Sequence, residues 1–375
     1  MRLAFIADVH LGNHRAFGGV PVAGLNARAH AILRALRRAR ELATAAGVGD
    51  LFVLGDLFDT ASPSPQLLAA ALDALAGRDA RARVHLLRGN HDMVSDAPGD
   101  HALGVFAHAG VRVWETPDVL VGDRARIAVV PYLTGSTDAR LPPVLRDLAS
   151  RVQEPLDVVL LHAGIHDPQL RATLPWAAGA HDAVSTTLLA GVANAARRVY
   201  AGNWHTARDW VLDGGLCVHQ VGALVPTGWD NPGLDGYGRL MVLDTSANTS
   251  LVYQVGGPRF VHADSPAELE ALRAQAAAAS PDPVSLYVRA DATPDGIADA
   301  RAWLDRAVSD GVAAGYAVRV GSEQVRAAAR EAAAAARSAH VLDDAVHAYV
   351  GRMPLPDGVD RAEVLDRTRE YLLAT

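Results

Sequence analysis

Short apolar runs, each ending in a polar cluster, organise the first part of the chain. Met1 to Ala7 is the first run and leads into Asp8-Val9-His10. Side chains two apart on a strand share a face, so Asp8 and His10 leave the strand end in the same direction. From about Asn26 to Ala46 apolar residues recur at helical spacing with arginines between them, which predicts an amphipathic helix. Asp50-Leu51-Phe52-Val53-Leu54 predicts a second buried strand, closed by Gly55-Asp56-Leu57-Phe58-Asp59. A helix from about Pro65 to Leu75 and a third strand over Ala82 to Leu87 then lead to Gly89-Asn90-His91-Asp92. Strand and helix alternate, and every strand stops at a polar cluster. That pattern predicts an α/β layer with a site at the C-terminal ends of its strands.

Further along, the apolar runs crowd together: Val111 to Trp114, Ala125 to Pro131, Leu156 to Leu161, Arg198 to Ala201, Leu216 to Val221, Arg239 to Leu243 and Ser250 to Val255. Such spacing predicts mixed and antiparallel pairing, in two sheets packed together and flanked by helices. Two more runs end in polar residues, His162 after Val158-Val159-Leu160-Leu161 and Gly202-Asn203-Trp204-His205 after Val199-Tyr200-Ala201. Past Gly257 the texture changes. Val284 to Val288, a helix from about Asp295 to Val308 and Gly315 to Val320 make a small β-α-β unit. Arg326 to Ala339 is alanine-rich and predicts a linking helix. Leu342 to Val350 and Arg361 to Leu373, separated by Met353-Pro354-Leu355-Pro356-Asp357-Gly358, predict a helical hairpin. The expected divisions are 1–257, 258–325 and 326–375.

Composition narrows the chemistry. All 35 basic residues are arginine, so a P-loop lysine and a Schiff-base lysine are both excluded. ATP hydrolysis by the usual route would have to come from another chain. Cys217 is the single cysteine, which rules out an internal disulfide and a cysteine-rich zinc site. Any metal must be held by His, Asp, Glu and Asn. A net charge of −7 argues against nonspecific coating of nucleic acid, although a local groove or metal ions can still hold phosphate. No stretch approaches the roughly 20 apolar residues of a membrane span, and the first residues lack a signal peptide's pattern, so the expectation is a cytoplasmic protein with no membrane partner.

Asp8, His10, Asp56, Asn90, His162 and His205 all lie just past the ends of apolar runs. Singly, each has a structural explanation: Asp and Asn form turns, and a histidine beside a core is usually a packing residue. Together they supply the mixed oxygen and nitrogen donors suited to manganese, iron or zinc. Asn90 offers a neutral oxygen to a hard cation, and His91, one residue on, is aimed beside the metal.

Asp8-x-His10, Gly55-Asp56-x-x-Asp59, Gly89-Asn90-His91-Asp92, His162 and Gly202-x-x-His205 resemble, in order and spacing, the motifs of the calcineurin-like metallophosphoesterases. The resemblance covers roughly residues 1 to 255 and implies the metallophosphoesterase fold. Within that superfamily the chain is most similar to the SbcD-type DNA repair nucleases and their phage relatives. Asp8-Val9-His10-Leu11-Gly12 at the N-terminus, the β-α-β cap and the C-terminal hairpin carry that finer likeness. By resemblance, Asp8, His10 and His205 bind a first metal, Asp56 bridges, Asn90 and His162 bind a second, and His91 protonates the leaving oxygen or stabilises the transition state. The charge count agrees: two divalent cations are balanced by two aspartates, a hydroxide and one phosphodiester anion. The chain departs from the family at Asn203, where the usual motif is Gly-His-x-His. An amide oxygen there is a weaker donor than imidazole towards zinc or iron, so the second site is either retuned or impaired.

The resemblance implies a metal-dependent DNA exonuclease or endonuclease subunit in repair or recombination, with two divalent ions, manganese first and magnesium, iron or zinc as alternatives. It implies three partners: DNA, an SbcC-like coiled-coil ATPase gripped by the hairpin, and a second copy in a homodimer. Val341, Leu342, Ala345, Val346, Tyr349 and Val350 form one apolar face of that hairpin. Two other readings stay open, a phosphoesterase for small phosphodiesters or phosphoproteins, and a scaffold with an impaired metal site.

Overall fold

The computed structural model describes residues 1–18, 20–77, 82–122, 125–152, 155–167, 180–191, 196–229, 237–279, 282, 284–320, 362, 364 and 365. Its first layer follows the alternation of the sequence. Strand β1 (Arg2–Ile6) runs into helix α1 (Ala27–Ala45), then β2 (Asp50–Val53), α2 (Pro65–Ala76) and β3 (Arg83–Leu87). Asn26 caps α1 by accepting from the Ala29 N–H, and Ser64 caps α2 ahead of Pro65, so both helices start where a side-chain oxygen satisfies an orphan donor. A short helix α3 (Gly104–Ala107), strands β4 (Arg112–Trp114), β5 (Asp118–Gly122) and β6 (Ala125–Val130), and helix α4 (Thr137–Val152) follow.

The remaining elements are β7 (Val158–His162), β8 (Gly164–His166), β9 (Ala183–Ser185), α5 (Thr186–Gly191), β10 (Arg198–Gly202), β11 (Arg208–Val211), β12 (Cys217–Gln220), β13 (Arg239–Asp244), β14 (Thr249–Gln254), β15 (Gly257–His262), α6 (Pro266–Ala279), β16 (Val284–Ala292), α7 (Ile297–Ser309) and β17 (Gly315–Val320). They complete two six-stranded mixed sheets. One has the order β14-β13-β1-β2-β3-β4, the other β11-β12-β10-β7-β6-β5. In both, the central strands are parallel; antiparallel strands stand at both margins of the second sheet and at the β14 margin of the first, whose other margin strand, β4, is parallel.

Alternation along each strand assigns its two faces. Leu3, Phe5 and Ala7 turn towards the second sheet, while Ala4 and Ile6 turn towards the helices. The layer between the sheets joins Phe5, Phe52 and Leu87 to Ile127, Leu160 and Tyr200, and the Phe5 and Tyr200 rings stack with centroids 4.0 Å apart. The outer faces are covered by α1 and α2 on one side and by α4 and α5 on the other. Strands buried on both faces explain why their sequences are nearly continuous apolar runs. The two sheets bring the C-terminal ends of β1, β2, β3, β7 and β10 to one edge, where the polar clusters lie.

Strands β15, β16 and β17 form a third, three-stranded sheet. By compactness the chain divides into one unit of Met1–Ala290 with Trp303–Ala317 and another of Asp291–Ala302 with Val318–Thr375. The expected linking helix and most of the expected hairpin lie outside the described residues, as does the apolar face of Val341 to Val350. No helix among the described residues is long and apolar enough to cross a membrane.

Candidate metal centre

Four of the side chains singled out in the sequence sit on backbone that ordinary residues avoid. Asp8, His10, Asp56 and Asn203 have φ of 49°, 46°, 52° and 83°, the left-handed region that costs a non-glycine residue of order 1 kcal/mol or more. Neighbouring hydrogen bonds hold them there. The Asp8 N–H donates to the Gly55 carbonyl at 3.3 Å, the His10 N–H to the Asp56 carbonyl at 3.0 Å, and the Leu11 N–H to the Leu57 carbonyl at 2.9 Å. The loops after β1 and β2 are thus laced together, and the Asn203 N–H ties the loop after β10 to them through Asp8 Oδ1 at 2.8 Å.

Asp8, His10, Asp56 and His162 are all at least 98% buried. Their ligand atoms converge in three overlapping groups: Asp8 with His10 and His205, Asp8 with Asp56 and His162, and His10 with Asp56 and His91. Within each group the atoms lie within 4.8 Å of one another. His10 Nε2 and His205 Nε2 are 2.9 Å apart, and His10 Nε2 is 3.6 Å from Asp56 Oδ2. His162 Nε2 lies 3.0 Å from Asn90 Oδ1 and 3.4 Å from Asp56 Oδ1. Asp56 therefore faces both histidine sets, which is the place of a bridge.

Glycines make room for this packing. Gly55 has φ of 90°, and a Cβ on it would lie 2.0 Å from His162 Nδ1. On Gly89 a Cβ would lie 2.1 Å from Asp56 Oδ1. The glycines of both motifs are there so that ring and carboxylate can close on the backbone.

The electrostatics are those of a site built for cations. Burial pushes Asp8 up to about 7, with the Asp56 charge adding to it. Burial also pushes His10 down to about 3, and lowers His205. Asp56 and His162 behave as a pair. Burial opposes both charges, yet the facing His162 holds Asp56 well below the usual carboxylate range, and Asp56 pushes His162 up to about 9. Asp8 Oδ2 and His10 Nδ1 are buried with no hydrogen-bond partner, an arrangement that costs free energy unless something else satisfies the oxygen.

Residues 1–219 match the family described as calcineurin-like phosphoesterase. The chain belongs to that family. Calcineurin-like phosphoesterases are dinuclear metal hydrolases, and the residues here fit such a centre: an orphaned buried carboxylate oxygen, imidazole nitrogens and one carboxylate facing both sides are a donor set for two divalent ions. Similar solved structures include TT1561 of Thermus thermophilus, with 12% identity, a TM-score of 0.41 and coverage of 68% of this chain and 98% of that one. A dimetal phosphatase from Danio rerio is similar at 15% identity and a TM-score of 0.39, covering 60% of this chain and 87% of its own. The nuclease MPE of Pseudomonas putida is similar at 18% identity and a TM-score of 0.29, covering 67% and 86% respectively. No curated protein matches the chain significantly.

The structure of this calcineurin-like phosphoesterase places the remaining residues as follows. His91 is exposed, with its N–H on Asp56 Oδ1 at 2.9 Å and its Nδ1 donating to the Asp59 carbonyl at 3.0 Å, which leaves Nε2 unengaged by that bond. Its ring meets the His10 ring edge-on, centroids 4.8 Å apart. Asn203 is half-buried, and its side-chain nitrogen is engaged by Asp182. Three acidic residues around the centre have roles that sequence spacing does not announce. Asp92 is fully buried and accepts from the N–H groups of Leu57, Phe58 and Gly89, pinning two ligand loops with one carboxylate. Asp59 lies 3.7 Å from His10 Nδ1 and 3.8 Å from His14 Nδ1. Asp182 comes from the segment just before β9. The first two stand inside motifs already singled out; for Asp182 the sequence carries no signal.

Proposed function

We propose that the chain is a two-metal phosphodiesterase that cleaves DNA, a nuclease subunit working in repair or recombination. The observation that supports it is the convergence of Asp8, His10, Asp56, His162 and His205, with Asn90, on one buried point at the edge of both sheets. In this reading Asp8, His10 and His205 hold one ion, Asn90, His162 and Asn203 the other, and Asp56 lies between. Two bound divalent ions would supply an activated water and a clamp for the phosphate.

The chain's own residues do the rest. His91 faces outward with Nδ1–H occupied by the Asp59 carbonyl, so Nε2 is the nitrogen that, in the doubly protonated ring, delivers a proton to the leaving oxygen and is left as the neutral imidazole's acceptor. Asp92 holds the loops carrying Asp56 and His91 in register. Manganese is the ion proposed, because amide and carboxylate oxygens make up about half of the donor set. The DNA substrate rests on the likeness of the N-terminal Asp8-x-His10-Leu11-Gly12 motif, the β-α-β sequence and the C-terminal apolar faces to SbcD-type nucleases. An SbcC-like ATPase as partner suits a chain without a lysine, and a homodimer is proposed on the same likeness.

The deciding experiment is a manganese-dependent cleavage assay on single-stranded and duplex DNA beside a generic phosphodiester, with metal analysis of the same preparation. Cleavage of DNA with manganese, and none in chelator, is expected. Turnover of the generic ester with no DNA cleavage would overturn the nuclease reading. A folded chain that takes up no metal would overturn the enzyme.

A further inference from the structure

Asn203 stands where the family pattern has a histidine, and only one end of its amide can bind a cation. The oxygen carries lone pairs, whereas the NH2 group has none to give. Which end is left to a cation follows from what the other end touches. Asn203 Nδ2 donates to Asp182 Oδ2 at 2.9 Å and to the Asp182 carbonyl oxygen at 3.1 Å. A carboxylate and a carbonyl oxygen both accept. A flipped amide would set oxygen against oxygen at both contacts and lose a charge-assisted hydrogen bond.

Asp182 is itself fixed in place. Its carbonyl also accepts from the Gly164 N–H at 2.9 Å, two residues beyond His162, and the neighbouring His181 carbonyl accepts from the Thr137 N–H at 2.8 Å. On the other side, the Asn203 N–H is held on Asp8 Oδ1 at 2.8 Å with the backbone at φ of 83°. The amide is clamped from both ends of its own residue. We propose that Asp182 is a positioning residue for the metal centre: by engaging the nitrogen of Asn203 it leaves the amide oxygen as the end presented to the second cation. The departure from the family's histidine would then be a retuned ligand, with Asp182 as the partner that makes the amide serviceable.

The inference rests on the two-metal reading, and calorimetric titration of manganese into the full chain separates the two. Asp182→Asn keeps the shape and the backbone carbonyl contact but supplies a side chain that can donate as well as accept, so the amide of Asn203 loses the charged one of the two acceptors that orient it. Second-site affinity is expected to fall by about 10- to 100-fold, the usual effect of removing a partner that orients a ligand, with first-site affinity unchanged. Asn203→Asp alone sets two carboxylates together and is expected to lower the melting temperature of the metal-free chain. The exchanged pair, Asp182→Asn with Asn203→Asp, again matches a donor to an acceptor at the side-chain contact, sets an oxygen against the residue-182 carbonyl, and offsets that by giving the second site an anionic oxygen. Its second-site affinity is expected to return to the wild-type value or exceed it. A purely structural role for Asp182 would weaken both sites together and would not be rescued by the exchange, and either result overturns the inference. Unchanged second-site affinity in Asp182→Asn, with two ions bound by the wild type, also overturns it and leaves the two-metal reading standing. A wild-type chain that binds fewer than two ions overturns that reading, and the inference with it.

Discussion

His162 donates its Nδ1–H to the carbonyl oxygen of Leu54 at 2.6 Å, a bond that runs from the end of β7 in one sheet to the loop after β2 in the other. It joins the two sheets at the edge where the ligands gather. It also fixes the ring, so that Nε2 faces Asp56 Oδ1 and Asn90 Oδ1. Without a cation the most favourable occupant of that position is a proton. Burial opposes it, but Asp56 and the Leu54 carbonyl outweigh burial and push His162 up to about 9.

In the proposed two-metal reading, cation binding therefore expels protons. Below about pH 9 the ring of the metal-free chain is protonated, and Asp8, raised by burial to about 7, is partly protonated around neutrality. Both must lose the proton to become ligands. Apparent affinity should rise with pH, by about tenfold per unit for each proton released, and level off above about pH 9. Titrations in buffers of different ionisation enthalpy, repeated from about pH 6 to about pH 9, measure the proton count directly. Affinity independent of pH would show that His162 is not a ligand.

His91→Ala should separate chemistry from binding. The ring is exposed at the rim of the cluster, with a nitrogen within 4.8 Å of ligand atoms of His10 and Asp56, and is tied by Nδ1 to the Asp59 carbonyl. Its removal should leave two manganese ions bound and lower kcat by roughly 10² to 10⁴ at unchanged metal stoichiometry. Loss of metal from the variant would instead make His91 a ligand.

The two motif glycines should differ in what they destroy. Gly89→Ala drives a methyl group to 2.1 Å from Asp56 Oδ1 and 2.3 Å from the Asp56 backbone nitrogen, so the carboxylate facing both sides is displaced and neither ion should be held. In Gly55→Ala the methyl group meets the His162 ring at 2.0 Å on a backbone with φ of 90°. There the second site should fail first, with stoichiometry falling towards one ion. Inductively coupled plasma analysis of the folded variants, after saturation and desalting, distinguishes these outcomes.

Much of this architecture is legible in the sequence because buried parallel strands are written as unbroken apolar runs, and each run ends in the polar residues it delivers. Asp8, His10, Asp56, His162 and His205 all follow that rule, and the structure brings them together. Strands β5 and β11 escape it: both are margin strands, and Val121 and Val211 face solvent. Helix α4 also escapes, because Pro142 and Pro143 stand in its interior. Burial of Leu141, Leu145 and Leu148 against the second sheet sustains a helix that propensity alone would break. Left-handed backbone at Asp8, His10 and Asp56 falls on residue types that tolerate it but do not by themselves announce it, and Asp182 reaches Asn203 from a segment with no periodicity at all.

Asp92→Asn tests whether one buried carboxylate organises the loops. Asp92 Oδ1 accepts from the Phe58 N–H at 3.0 Å, while Oδ2 accepts from the N–H groups of Gly89 at 3.0 Å and Leu57 at 3.3 Å. An amide has one oxygen, so its NH2 group must confront at least one of these donors. Each buried donor left without an acceptor costs about 1 to 3 kcal/mol, and the variant should unfold at correspondingly lower urea concentration. The pH dependence has a definite sign. Burial, with the Asp56 charge adding to it, raises Asp92 from 3.8 to about 6. Between those values the folded chain binds more protons than the unfolded chain, so the contribution of Asp92 to stability falls as pH rises through that window. Asparagine does not titrate. The stability gap between wild type and Asp92→Asn, measured by urea unfolding in chelator, should be widest below about pH 4, narrow as pH approaches about 6, and stay constant above it. A gap that widened with rising pH would mean that the three N–H donors outweigh burial and hold the carboxylate ionised in acid.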